Sequence, residues 1–311
     1  MIILLRKKFK TVPVRNTDLK KDDLLIDSNN NENWTEIIKP KTHLFDLRLK
    51  DVWRYRDLLF LFVKRDFTAQ YKQTILGPLW HLIQPIFTTV MFMLVFNQIA
   101  GISTDKLPAP LFYMSSIAIW NYFSACLSNT SSTFIANAGI FGKVYFPRLV
   151  TPLSSVLSNM VKFGIQFMLL MAFVLYYASR GAFYINVSVH LLLIPVIIVI
   201  MAALGLGLGI IISSLTTKYR DLNILINFGV GLLMYVTPVA YPLSYLEQSK
   251  YKALIQWNPL SSLVEGFRYA LFRQGTFDTF FFFYSILFTC IVLLLGILLF
   301  NKVERTFMDT V

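Results

Sequence analysis

A chain of 311 residues could hold one or two soluble domains, but this one is 56% hydrophobic and 15% charged, with 28 phenylalanines and a mean hydropathy of +0.59. That balance excludes an ordinary water-soluble fold and makes lipid the expected solvent. The net charge of +12 does not require nucleic acid, because sixteen of the 29 Lys and Arg residues precede the first apolar stretch, where positive charge marks a cytoplasmic segment.

Residues 1–43 are polar, carry the run Asn29, Asn30, Asn31, Glu32 and Asn33, and show no sustained apolar period. They read as a flexible cytoplasmic tail. Only Met1 to Leu5 precede the first Arg, so a cleaved signal peptide is not expected. In residues 44–77, Val52, Tyr55, Leu59, Val63, Phe67 and Tyr71 recur at steps of three and four, with Arg54, Arg56, Lys64, Arg65 and Lys72 at other positions. This predicts an amphipathic helix at the membrane surface. A surface helix on a soluble domain would show the same period, but too little chain precedes it to form one.

Residues 78–305 hold the apolar segments. Five stretches contain no Asp, Glu, Lys or Arg: Gln73 to Thr104, Leu107 to Gly142, Gly181 to Thr217, Leu222 to Leu246 and Thr279 to Asn301. A sixth, Pro152 to Ala178, is interrupted only by Lys162. A spanning helix needs roughly 20 apolar residues, so six spans are predicted, at about 78–100, 111–135, 152–178, 187–215, 222–241 and 280–300. The fold class is an all-α polytopic membrane protein, starting at Pro78, which suits a first helical turn. Residues 306–311 form the C-terminus. With six spans, 22 of the Lys and Arg residues fall on the side of the N-terminus, six on the other side and Lys162 within a span. That asymmetry puts both termini in the cytoplasm.

The long outer loop, Tyr241 to Asp278, contains Trp257, Asn258 and Pro259 and then a renewed helical pattern. Ser262 and Glu265 have capping-box spacing, and Leu263, Phe267, Ala270 and Leu271 form an apolar stripe. Such a helix either dips back into the bilayer or lies flat on the outer surface.

Energy sources and catalytic sets are poorly provided for. The predicted spans contain no carboxylate, which disfavours proton coupling, and no G-x-x-x-x-G-K-[ST] phosphate loop is present. Gly205, Gly209 and Ser213 are spaced by four and read as a close-packing helix face, not as a dinucleotide site. His43, His81 and His190 are scattered, Cys126 and Cys290 fall inside predicted spans, and no metal or catalytic set is predicted. Glu247, Glu265 and Asp278 would serve a membrane-embedded enzyme only if they met in space; otherwise they are caps and solvated charges.

Three polar or aromatic stripes stand out. Span one carries Trp80, Gln84, Phe87 and Met91; span two Asn121, Ser124, Ser128, Ser131 and Ile135; span five Asn223, Asn227, Gly231, Tyr235 and Pro238. Such faces either hold helices together or line a path.

Four phrases in this order, LFVKRDFTAQYKQTILGPLW (Leu61 to Trp80), KVYFPRLVTPLSS (Lys143 to Ser155), KYRDL (Lys218 to Leu222) and WNPLSSLVEGFRYALF (Trp257 to Phe272), resemble the ABC-2 permeases that export lipid-linked polysaccharides such as O-antigen and teichoic acid. The resemblance covers roughly residues 44–305. It implies the membrane subunit of a bacterial inner-membrane exporter, working as a homodimer with two ATPase subunits that bind ATP and Mg, and with no cofactor in this chain. The cargo it implies is an undecaprenyl-diphosphate-linked glycan; another cargo, such as capsule, lipid or drug, would leave the fold unchanged.

The resemblance also distributes roles. The loop Gly139 to Val150 becomes the ATPase-coupling segment, with Lys143, Tyr145, Phe146 and Arg148 as contacts. The stripes become channel lining at Trp80, Gln84, Phe87, Asn121, Ser124, Asn227 and Tyr235. The 241–278 loop becomes a pair of re-entrant outer gate helices, with Trp257, Glu265, Phe267 and Arg268 at the gate. Arg54, Arg56, Lys64 and Arg65 become contacts for the lipid diphosphate at the inner surface, or anchors to anionic headgroups.

Overall fold

The computed structural model of the chain describes residues 49–310 apart from 142, 145, 182–188, 217, 218 and 220, and every regular element among them is helical. The predicted tail 1–43, residues 44–48 of the surface-helix stretch, and Tyr145 lie outside the described residues.

Where one surface helix was expected over 44–77, the described chain forms α1 (Leu49–Arg54) and α2 (Arg56–Tyr71), with a turn at Tyr55 between them. The chain leaves α2 through Gln73, whose φ of 68° is left-handed. Val52, Leu59 and Phe62 are buried in one apolar cluster with Phe146, Val150 and Phe300. The stripe read from periodicity therefore faces the helical body, while Trp53, Phe60 and Leu61 are exposed.

A 3-10 turn, Gly77–Leu79, opens α3 (Trp80–Phe92), with Pro78 in its first turn, and π-helical turns over Met93–Ile99 extend it. Inside α3, Pro85 lacks the amide that would bond the His81 carbonyl. The central element is α4 (Ala109–Ser131), sixteen of whose 23 residues are buried. Span two was expected to continue to 135, but α4 ends at Ser131 and α5 (Thr133–Phe141) starts anew. Then follow α6 (Val150–Ser179), α7 (Leu193–Thr216), α8 (Leu222–Val236), α9 (Lys252–Gln256), α10 (Pro259–Phe272) and α11 (Thr279–Thr310).

Four segments among the described residues are long and apolar enough to cross a membrane: Gly77–Ile99, Val150–Ser179, Val189–Thr216 and Thr279–Val303. The six predicted spans are thus met in part. Helix α4 has the length, but the polar residues along it reduce its apolarity. Helix α8 has only 15 residues, about 22 Å of rise against a hydrocarbon core of roughly 30 Å. It stops before Tyr241 because Thr237 precedes Pro238 and is extended, at φ −106° and ψ 140°.

Small residues fix the centre. A Cβ on Gly205 would stand 2.8 Å from Cβ of Cys126, and one on Gly209 would stand 2.6 Å from Cβ of Thr130, so both glycines press α7 against α4. On the opposite face, a Cβ on Gly207 would meet the Leu293 backbone at 3.0 Å, and one on Gly296 would meet the Gly207 carbonyl oxygen at 2.8 Å. Ser213, four residues on, reaches α5 by accepting the Phe134 amide at 3.3 Å. Helix α7 is held between α4 and α11 by backbone approach, which favours dispersion contacts that larger side chains would prevent. Gly209→Leu is expected to force α4 and α7 apart and cost about 1–3 kcal/mol or more. The melting temperature of the purified protein checks this, and an unchanged value would contradict the close packing.

Candidate functional site

Helices α4 and α6 turn polar faces toward each other. On α6, Ser155, Asn159, Lys162 and Gln166 recur at steps of four, three and four; on α4, Asn121, Ser124 and Ser128 recur at steps of three and four. Asn159, Lys162 and Gln166 of α6, the three α4 residues, Gln70 of α2 and His81 and Gln84 of α3 line a cavity of about 320 Å³. A second chamber of about 360 Å³ is lined by Arg65 and Asp66 of α2, Asn137 of α5, and Thr151, Ser155 and Ser158 of α6. Gln70, Asn129 and Lys162 border both chambers, so they form one polar groove.

Few bonds cross the groove. Asn129 Nδ2 donates to Asn159 Oδ1 at 3.0 Å and ties α4 to α6. At the α5 side, Arg65 donates to Asp66 at 2.8 Å and to Asn137 Oδ1 at 3.5 Å, while its guanidinium lies 4.6 Å from the Phe62 ring centre. Tyr71 packs edge-on to His81, with ring centres 5.5 Å apart. Burial pushes the Tyr71 phenol above its usual range, so it stays protonated at neutral pH. A surface of amides, hydroxyls and one ammonium can bond hydroxyl groups and anionic oxygens.

The channel candidates divide. Gln84, Asn121 and Ser124 line the groove. Trp80 and Phe87 are exposed on α3, and Asn227 and Tyr235 on α8, outside its lining. On α8 only Val230 is buried, and a Cβ at Gly229 or Gly231 would meet nothing within 4 Å. Sequence reasoning passed over Lys162, His81, Asn159 and Gln166. The signal was present: Lys162 is the single charge interrupting a predicted span, and Asn159 and Gln166 stand three and four residues from it.

The gate residues also divide. Trp257 is exposed at the end of α9, with its ring edge-on to Phe281 and Tyr284. Glu265, Phe267 and Arg268 are buried. The expected capping box does not form. Asn258 caps α10 by accepting the Leu260 amide, Ser262 bonds Ser285 at 2.8 Å, and Glu265 accepts the Leu243 amide at 2.8 Å. Arg268 pairs with Glu265, donates to Ser116 at 3.2 Å and stacks over Phe112 at 4.2 Å. This network fastens α10 to α4 and to the segment after α8. Phe267 lies near Phe163 and Phe167 of α6, each with ring centres 6.4 Å away.

At the coupling loop, Phe146 and Arg148 are buried within their own chain. Phe146 meets Phe62 edge-on at 5.7 Å, and the Arg148 guanidinium lies 5.6 Å from the Phe141 ring centre. Their neighbours Lys143 and Val144 are exposed. The basic candidates Arg54, Arg56 and Lys64 are exposed, with Arg56 over the Trp53 ring at 5.7 Å. Arg65 alone of the four borders the groove.

Residues 57–272 match the model of a family described as ABC-2 type transporter. The chain belongs to that family. It is similar to the O-antigen export system permease protein RfbA of Klebsiella pneumoniae, 29% identical over 255 residues that cover 81% of this chain and 94% of that one. It is also similar to the O-antigen export system permease protein RfbA of Myxococcus xanthus, 24% identical over 227 residues, 73% of this chain and 84% of the other. The chain is therefore an ABC-2 permease, a membrane transport subunit. The match contains the groove-lining residues from Arg65 through Gln166 and ends at Phe272, the last residue of α10.

Two substitutions test how this permease is held together. Phe146→Ala is expected to cost about 3–5 kcal/mol by opening the cluster under α2, whereas Lys143→Glu should leave the melting temperature unchanged; equal effects would contradict the assigned burial. Glu265→Gln strands the buried Arg268 charge, and a loss of about 3–5 kcal/mol is expected. An unshifted melting temperature would show that the pair carries no weight.

Proposed function

We propose that this ABC-2 permease exports a lipid-linked polysaccharide, of the O-antigen class, across the bacterial inner membrane. A pair of these chains works with two separate ATPase subunits, which bind ATP and Mg and supply the energy. The observation that carries the reading is the polar groove beside α6. Its amides and hydroxyls suit the hydroxyl groups of sugars, and it is bordered by a candidate span, where unpaired polar groups are costly unless a ligand or water meets them. The similarity to O-antigen export permeases from two organisms supports the same cargo class.

In this reading α4 and α8 join the four apolar segments to make six spans, with both termini cytoplasmic as the Lys and Arg asymmetry indicates. Helices α9 and α10 form the outer gate, re-entering the membrane, and the Glu265–Arg268 pair anchors the second of them. The exposed stripes Trp80, Phe87, Asn227 and Tyr235 face the second copy and line the shared channel. Helices α1 and α2 lie at the inner surface, with Trp53, Phe60 and Leu61 toward lipid and Arg54, Arg56 and Lys64 toward lipid phosphates. The ATPase docks on the turn between α5 and α6 through Lys143, while Phe146 and Arg148 hold that turn in shape.

Reconstitution of the permease with its ATPase partner tests the proposal. ATP hydrolysis is expected to rise several-fold with lipid-linked glycan and to stay at baseline with free glycan. Hydrolysis that is indifferent to the glycan lipid, or a permease that fails to co-purify with any ATPase, would overturn it.

A further inference from the structure

The groove contains more hydrogen-bonding capacity than its own bonds use. Asn159 is 1% exposed and Ser158 3% exposed, yet Asn159 Nδ2 and Ser158 Oγ have no partner. Nor do His81 Nε2 and Gln166 Oε1, both from residues lining the same groove. Asn129 fixes the Asn159 carboxamide through its oxygen, and the nitrogen is left with only the weakly accepting Cys126 sulfur beside it. Each such orphan costs about 1–3 kcal/mol if it stays unmet.

Lys162 stands among them. It lies twelve residues into α6, about 18 Å along the helix, which puts it near mid-depth of a candidate span. An ammonium at that depth costs about 2.5–3.5 kcal/mol on insertion scales. Such charges are ordinarily paired, but among the described residues no carboxylate comes within 4 Å of Lys162. The acid on the same groove, Asp66, is engaged by Arg65 at 2.8 Å. Sugar hydroxyls would satisfy the amides but would leave the ammonium with only Asp66, beyond ion-pair distance and shared with Arg65, as counter-charge. An anion with several oxygens satisfies both.

We infer that Lys162, Asn159, Ser158 and His81 form an anion site within the membrane-spanning body, and that it receives the phosphate of the lipid that carries the glycan. Arg65, at the groove's α5 side, is the first cation that such a phosphate would meet on its way from the α2 surface. This assignment rests on the transport reading above and adds where the charged end of the cargo is held. A phosphate accepting from an ammonium, an amide and a hydroxyl gains charge-assisted bonds.

The test uses the permease–ATPase complex in nanodiscs of phosphatidylcholine, with radiolabelled polyprenyl diphosphate as probe. Lys162→Met and Lys162→Gln remove a charge from a span, so they should assemble normally, which the melting temperature verifies. Loss of one charge-assisted bond predicts binding weakened roughly ten-fold to a hundred-fold in both variants, with most affinity kept in Lys162→Arg and in the exposed control Lys250→Gln. Unlabelled polyprenyl diphosphate should displace the probe, while polyprenol, phosphatidylglycerol and inorganic pyrophosphate should not. Undiminished binding in Lys162→Gln overturns the site. Equal displacement by phosphatidylglycerol assigns it to bulk lipid headgroups, equal displacement by pyrophosphate assigns it to free anions, and either result overturns the cargo assignment. Surface glycan scored in cells separates the two claims. Normal export by both wild type and Lys162→Gln removes the site and leaves the transport reading standing, whereas a wild-type chain that exports no glycan removes the reading itself.

Discussion

Helix α7 can lie between α4 and α11 only because its residues at the points of closest approach have no side chain. Gly205 and Gly209 meet α4, and Gly207 meets α11 at Gly296. In lipid there is little hydrophobic drive to bring apolar helices together, so close backbone contact and the dispersion it permits must supply the cohesion. Once α4 is fixed by α7 on one side, its other side is committed to α6. That commitment places Asn121, Ser124 and Ser128 opposite Asn159, Lys162 and Gln166. The groove is therefore a consequence of how the centre packs, as well as of which residues are polar.

A second constraint works from the groove outward. Hydrocarbon offers no hydrogen bonds, so polar side chains on a spanning helix must find partners, water or ligand. At the α10 end the charges are matched internally: Arg268 is paired with Glu265, bonded to Ser116 and stacked on Phe112, although Glu265 Oε2 keeps no partner. Around Lys162 they are not, and Asn159, Ser158, His81 and Gln166 all retain unused atoms. The contrast between a cation paired at contact and one without a carboxylate at contact separates a fastening from a binding surface. It also explains how Arg268 and Lys162 can serve different ends in one permease.

Much of this architecture was legible in the sequence, where it was written in apolarity and spacing. The apolar segments, the stripe from Val52 to Leu59 and the close-packing row Gly205, Gly209 and Ser213 all follow from periods that a helix must obey. The interruptions were harder to read. The break after Ser131 and the split at Tyr55 leave no strong local mark, because neither site carries Pro or Gly. Ser262 and Glu265 have the spacing of a capping box, but tertiary partners, Ser285 and the Leu243 amide, claim both side chains. Phe146 and Arg148 were legible as a motif and not as a location, since nothing local shows that α2 folds back over them. For the site, stripes on single helices were visible, but their convergence was not. Gln84 and Asn121 meet in the groove while Trp80 and Tyr235 do not, and only the packing of α3 and α8 decides which.

The central claim is that this chain, powered by a partner ATPase, carries a lipid-linked glycan across the membrane. It is tested most directly in sealed vesicles that hold the permease, the ATPase and a fluorescent lipid-linked glycan, by following the glycan's exposure to a membrane-impermeant glycosidase on the far side. Exposure that needs ATP, both proteins and the lipid link is the expected result. Exposure without ATP, or none while ATP is being hydrolysed in response to the glycan lipid, would contradict it.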